Sequence, residues 1–487
     1  MDQAERGTDF DPADMEAARA AGYRAVDLAI ARLEGVRGRA VWTPMSGAQR
    51  ESFARSLPEG PEDLGALVER FAEEVLPTSM GADHPRFWGW YMGGGNFAGA
   101  LGEFLATVDG SNLGGGDTGA AAMERQVLGW LADAAGFPED CGGVLASSGS
   151  MANFLGLAVA RQSVGGAELR RKGLAALDRP LRFYGSVEAH SCGAKALEAM
   201  GHGTEALRLI GTGAGLRMDV AALRAAIAED RAAGWRPACV IATAGATNTG
   251  AIDPLDEIAD LCAEQGLWMH VDACVGGALI FSDRHRGLLS GLERAQSVAL
   301  DLHKWLQVPF CAGAVLVRDR AAHRATFAAH PDYLVGKARG LVATEFFGDY
   351  GMDLSRPFAA LKVWMTFLSQ GRRRLGAMLE HGAALARDFA AMVEEAPELE
   401  LCAPVPINVV CFRYRPDGER DESRLAALNS EILLRLQERG EAVLSDTLIG
   451  GRSCLRLCIG NHRTGPEDIA FARDAVLRTG REILAEG

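Results

Sequence analysis

The sequence predicts an α/β protein: a mostly parallel sheet flanked by helices, followed by a smaller C-terminal α+β domain. Three observations carry this. From about residue 140 to 305, short apolar runs alternate with segments of helical periodicity, the pattern of parallel strands joined by helical crossovers. Polar and glycine-bearing residues fall just after those runs, where open α/β sheets bind ligands. Beyond residue 376 the order becomes helix, strand, helix, strand, helix, a compact unit of its own. The chain divides accordingly into an N-terminal helical segment (1–83), a large domain (84–375) and a small domain (376–487).

A chain of 487 residues, 48% hydrophobic and 23% charged, has the balance of a soluble globular protein with a large core. Its net charge of −14 and lack of a basic stripe disfavour nucleic acid as a partner. Residues 1–30 lack an apolar stretch of signal-peptide type, and no apolar run reaches membrane-spanning length, so a cytoplasmic location is expected. Ten cysteines stand singly without a CxxC pair, so neither a disulfide framework nor a metal site is expected.

Taken in order, Asp14 to Leu33 and Leu64 to Val75 read as helices, suited either to packing on a partner subunit or to forming an arm on their own domain. His84 to Asn96 joins Phe87, Trp88, Trp90 and Tyr91 to a glycine run. Aromatic walls beside close-approaching backbone suit a substrate pocket, and an aromatic core strand followed by a turn fits equally. A second glycine patch, Gly114 to Gly116, precedes a helix from Ala120 to Ala135. The strand Val144 to Ala146 leads into Ser147-Ser148-Gly149-Ser150 at the start of a helix. Free backbone N–H groups and hydroxyls there form a candidate phosphate cup.

His190 follows the strand Arg182 to Gly185, a place that suits either stacking on an aromatic cofactor ring or a hydrogen-bonded position in the core or at the surface. Thr247 follows the strand Cys239 to Ala242. Asp272 ends the strand Leu267 to Val271, where a buried carboxylate calls for a cationic partner or a helix to cap. The run Ser297 to Leu302 ends on His303-Lys304-Trp305, and a lysine at a buried strand end is suited to forming a Schiff base. Residues 330 to 350, polar and punctuated by glycine, suit a mobile lid. A helix from Ser355 to Leu368 follows, and after residue 376 come the strands Ile407 to Tyr414 and Ser453 to Cys458.

Ser-Gly-Ser opening a helix, Ala189-His190-Ser191, His270-Val271-Asp272-Ala273, His303-Lys304-Trp305 and the stretch Asp353 to Trp364 occur in a specific order. In that order, from about His84 to Thr464, the sequence resembles the group II pyridoxal phosphate-dependent amino acid decarboxylases, the family of the aromatic L-amino acid, histidine and glutamate enzymes. The resemblance implies the aminotransferase-like type I fold and pyridoxal 5'-phosphate as cofactor. It implies a homodimer with shared active sites and a reaction turning an L-amino acid into its amine and carbon dioxide. By the same resemblance Lys304 carries the cofactor, Asp272 pairs with its ring nitrogen and His190 stacks on the ring. Ser148, Gly149, Ser150 and His303 lie in the region holding the phosphate and the lysine linkage, Thr247 lies beside cofactor and substrate, and Tyr333 on the lid returns a proton to the substrate carbon. Asp301 departs from the asparagine of the aromatic enzymes. A carboxylate beside a phosphate is repulsive, so Asp301 is expected either to turn its side chain away or to be protonated, and it is left out of the site. The aromatic residues at 87–91 favour an aromatic or bulky substrate. An acidic substrate, transamination, or oxidative release of an aldehyde on the same scaffold are the alternatives.

Overall fold

The computed structural model describes residues 10–329, 339–343 and 345–486. Seven strands form the large sheet: β1 (Gly142–Ala146), β2 (Leu181–Ser186), β3 (Leu207–Ile210), β4 (Arg236–Thr243), β5 (Trp268–Asp272), β6 (Ser297–Asp301) and β7 (Gly313–Val317). Their order is β1-β7-β6-β5-β4-β2-β3, with β7 antiparallel to both neighbours and every other pairing parallel. The central strands are buried along almost their whole length, which is why they read as continuous apolar runs rather than alternating ones. In register, Thr243 pairs with Asp272, and Asp301 and Ala146 each pair with Gly313. The polar ends of β4, β5 and β6 and the entry to the helix Gly149–Gly165 thus lie along one edge of the sheet.

The sequence reading missed β7. Gly313–Val317 follows so closely on the lysine turn that no helix separates it from β6, and it pairs with β6 in the antiparallel sense. A second sheet holds β8 (Leu399–Leu401), β9 (Val409–Tyr414), β10 (Ser445–Ile449) and β11 (Arg452–Cys458), antiparallel throughout in the order β10-β11-β9-β8. Strands β8 and β10 were also missed: one is only three residues long, and the other begins on the polar run Ser445-Asp446-Thr447 and leaves Leu448 exposed. Helices Glu422–Glu438 and Pro466–Glu486 accompany this sheet, and Phe389, Phe412, Leu455 and Val476 fill its core.

The helix Ala359–Glu395 connects the two sheets and breaks at Gly371 (φ 67°, ψ 157°). The expected boundary at 375–376 falls inside this helix, just past the break. Its start lies beyond the expected Ser355 because Pro357 cannot continue a helix from that side. The N-terminal segment forms the helices Met15–Glu34 and Leu64–Arg70, braced internally by Arg32 and Arg39 on Asp83 and held to the body by Arg37 on Asp468 and by the Val41 N–H on the Gly440 carbonyl. Its outward face shows Tyr23, Val26, Ile30, Leu67 and Phe71. No helix among the described residues is long and apolar enough to cross a membrane.

Candidate active site

A recess opens at the carboxyl ends of β4, β5 and β6. Six of the expected residues line it: Gly149, Ser150, His190, Thr247, Asp272 and Lys304. Ser148 lies just behind as the N-cap of the helix Gly149–Gly165, its hydroxyl accepting from the Met151 N–H at 3.2 Å. Position 149 must be glycine, because a Cβ there would stand 2.4 Å from both Asp301 Oδ2 and Cys274 Sγ. The free N–H groups of the first helical turn therefore come right up to the recess.

Asp272 is the buried carboxylate of the floor. Its Oδ1 accepts from the Cys274 N–H at 3.2 Å, and the Cys192 thiol lies 3.8 Å from Oδ2. Burial would push this carboxyl upward, but the Lys304 ammonium and the Cys274 contact hold it below its usual range. An ionised group at this depth is stable only with a cation to face. His190 accepts from the Cys192 N–H through Nδ1 at 3.2 Å, which fixes its ring at the rim.

Asp301 is a correction to the expectation. Its side chain does not turn away: it lines the recess, and Oδ2 takes an ion pair from Lys304 Nζ at 3.0 Å. Burial would lower the lysine pKa; the carboxylate of Asp301, followed by that of Asp272, more than reverses that, and the ammonium form is favoured. His303 is not among the residues that line the recess but stands behind Asp301, with Nδ1 3.4 Å from its Oδ1. Its Nδ1 sits between the Ala312 carbonyl (3.0 Å) and N–H (3.2 Å), its ring is 4.4 Å from that of Phe310, and burial lowers its pKa.

The four aromatic residues are placed differently from the expected pocket, and none lines the recess. Trp88 is fully buried in the core of the small sheet, with Nε1 donating to Thr464 at 3.3 Å. Phe87 bridges to Val443, and the Tyr91 hydroxyl donates to Asn408 at 2.9 Å in the interior. Large apolar rings gain most by full burial, and here the small sheet supplies it. Trp90 alone is exposed, in a left-handed conformation (φ 50°). Arg456 ties it to the recess, donating to the carbonyls of Trp90 (2.6 Å), Asn248 (3.1 Å) and Thr247. The glycine run beside it serves packing: a Cβ on Gly93 would stand 2.2 Å from the Lys304 carbonyl. Tyr333 lies outside the described residues.

Several supporting residues went unread in the sequence. His270, beneath Asp272, holds Ser297 Oγ at 2.8 Å and Asn153 Oδ1 at 2.9 Å, and burial lowers its pKa to about 4, so it is neutral. Gln307, with φ 60°, accepts from Gly94 N–H at 2.8 Å and donates to the Trp305 carbonyl at 3.0 Å, bracing the lysine turn. Arg356 pairs with the fully buried Glu124 and donates to the carbonyls of Leu113 and Leu145, pinning β1 just before the serines. The expected lid is anchored at its far end, where Glu345 and Asp349 hold Arg320 and Arg324.

The comparison with known proteins now bears on this geometry. The sequence model of the pyridoxal-dependent decarboxylase conserved domain matches residues 47–415. The chain belongs to this family. Aromatic-L-amino-acid decarboxylase of Bacillus atrophaeus is 34% identical, over 93% of each chain. L-2,4-diaminobutyrate decarboxylase of Rhizobium meliloti is 32% identical, over 88% of this chain and 84% of the relative. Among solved structures, mouse CSAD superposes with a TM-score of 0.90 at 26% identity, covering 96% of this chain and 99% of its own. Oryza sativa TDC with PLP and tryptamine gives 0.90 at 26%, covering 97% and 99%. The type I fold is therefore that of this pyridoxal-dependent decarboxylase, an enzyme of the carboxy-lyase class with pyridoxal 5'-phosphate as cofactor.

The residues present fit that cofactor. Thr243 Oγ and Asp301 Oδ1 are buried at the recess without a hydrogen-bond partner among the described residues. The Thr243 hydroxyl, the helix N-terminus, the Asp272 carboxylate and the Lys304 amine offer complements to a phosphate, a ring nitrogen and an aldehyde.

Proposed function

We propose that this decarboxylase converts an aromatic or bulky L-amino acid to its amine and carbon dioxide. The observation that carries the reading is the single recess joining the Lys304 amine, the ionised Asp272, His190 and the free N-terminus of the helix Gly149–Gly165. Lys304 holds the cofactor, and Asp272 keeps a proton on its ring nitrogen. His190 would cover the ring, with Thr247 beside it. Ser148, Gly149 and Ser150 receive the phosphate, and His303 braces the turn behind Lys304. When bound, pyridoxal phosphate supplies an electron sink for the bond to carbon dioxide. Tyr333 returns a proton to the substrate carbon. The residues at the rim orient the substrate carboxylate and shield it from water.

The substrate class rests on Trp90, exposed beside the Thr247 loop and held there by Arg456, and on the aromatic-acid relative at 34% identity. Phenylacetaldehyde synthase of Arabidopsis thaliana, 28% identical over 92% of this chain, favours a second reading in which an aldehyde is released. The exposed apolar face of the N-terminal helices supports a homodimer.

The test is release of carbon dioxide from carboxyl-labelled amino acids, beside Lys304→Ala, with parallel assays for aldehyde and peroxide. Release from aromatic acids alone, lost in the variant and without peroxide, is the expected result. Release only from a diamino or acidic substrate would overturn the substrate class, and aldehyde with peroxide would favour the second reading.

A further inference from the structure

The site contains one carboxylate more than this chemistry uses. Asp301 ends β6 with its side chain 4% exposed, directly against the first turn of the helix Gly149–Gly165. Its Oδ2 faces Lys304 Nζ at 3.0 Å, and its Oδ1 makes no hydrogen bond. The other basic group near it is His303 Nδ1, 3.4 Å away, which is engaged with Ala312 and kept neutral by burial. Among the described residues, Lys304 is therefore the cation paired with Asp301. The same carboxylate faces the helix end to which the phosphate is assigned, so it favours the free ammonium and opposes the incoming anion.

We propose that Asp301 is a positioning residue that holds Lys304 as an ammonium until the cofactor arrives, so that capture of the cofactor requires the lysine to lose a proton. This rests on Lys304 being the cofactor lysine. The balance is simple. The ammonium first gives one proton to Asp301 or to solvent, leaving a neutral amine with its lone pair free. The amine nitrogen then forms a double bond to the aldehyde carbon, and the aldehyde oxygen leaves as water with the amine's two remaining protons.

Other groups face Lys304 from each neighbouring element. Asp272 comes from β5, Cys274 from the loop after it, Cys192 from the helix Cys192–Ala199 and Cys458 from β11, while His190 stands at the rim. Burial raises all three thiols, Cys458 to about 11, so near neutral pH they are uncharged. Asp272 and Asp301 are then the negative charges on the lysine. Asp272 is committed to the ring nitrogen, and Asp301 is the one whose removal leaves the cofactor's own contacts intact.

The experiment follows cofactor capture by the full-length apoprotein. Pyridoxal phosphate is mixed with wild type and with Asp301→Asn, and the absorbance of the lysine-bound cofactor is recorded against time across the neutral and alkaline range. Asp301→Asn should move the rate–pH profile down by about one unit or more. Capture near pH 7 should then be about tenfold faster. An unchanged midpoint, whatever the rate, would overturn the proposal, since a merely structural carboxylate does not set a titration. A second measurement needs no variant: trace reductive methylation of wild-type apoprotein at several pH values, read by mass spectrometry. Lys304 should titrate above the exposed Lys172, and titration at or below it would overturn the proposal. If wild type yields no lysine-bound absorbance at all, the assignment of Lys304 itself falls. Absorbance with an unmoved midpoint removes only the role of Asp301.

Discussion

Lys304 sits where opposing effects on a single amine can be separated. Burial disfavours its charge, two carboxylates favour it, and the carboxylates win. Lys304→Ala should therefore abolish lysine-bound cofactor absorbance and carbon dioxide release together, while leaving the circular dichroism of the fold in place. Trp90 makes a different kind of contribution. Exposed and tethered through its carbonyl, it adds little to the core, and in the proposed reading its indole meets the substrate. Trp90→Ala should raise KM for an aromatic substrate by up to about tenfold, the worth of one aromatic contact, with kcat nearly unchanged. An unchanged KM would remove Trp90 from the substrate's path.

At the level of elements, the helix Gly149–Gly165 and the strand β1 have to be seated tightly for the recess to exist. Gly149→Ala inserts a methyl 2.4 Å from Asp301 and Cys274, so the helix end must shift away. Overpacking of this kind typically costs about 1–3 kcal/mol, and cofactor affinity should fall by at least about tenfold. Equilibrium titration of the apoprotein checks it. Behind β1, Arg356→Ala leaves Glu124 buried without its cation. Breaking such a pair destabilises by about 3–5 kcal/mol. Urea unfolding measures this, and a loss below about 1 kcal/mol would mean that water reaches Glu124 once the arginine is gone.

For the whole molecule, acid should be more damaging than mild alkali. Burial lowers His84, His202, His270, His323 and His462 to about 4. In the unfolded chain each titrates near 6.5. Between these values the unfolded state binds more protons, so stability is full above about pH 6.5 and declines as pH falls toward 4. The depressed Asp272 adds to the loss at lower pH, whereas Glu124 and Asp253, raised by burial, oppose it. Thermal unfolding at several pH values should show Tm dropping through this interval, and a flat Tm would mean that the histidines take up protons without unfolding. The proposed dimer has its own check. Val26→Glu with Ile30→Glu places charge on the exposed helix face and should shift sedimentation toward the monomer.

Much of this protein was determined locally and could be read from the chain. Alternating apolar runs and helical periods are properties of short segments, so β1, β2, β4, β5 and β6 were legible, as were the polar residues at their ends. Because parallel strands bring those ends to one edge, Gly149, His190, Thr247, Asp272 and Lys304 group together from the sequence alone. What only the tertiary structure decided depends on contacts between distant segments. Strand β7 takes its direction from pairing with β6 and β1, and β10 takes its place from pairing with β11. Phe87 and Trp88 read as pocket walls because aromatic side chains suit pockets and cores alike. The small sheet, more than 300 residues away in sequence, settled that choice. From the chain alone, the expected phosphate is the charge that decides the place of Asp301. Folding placed a lysine 3.0 Å away as well, and a buried carboxylate is governed by the nearest charge it meets.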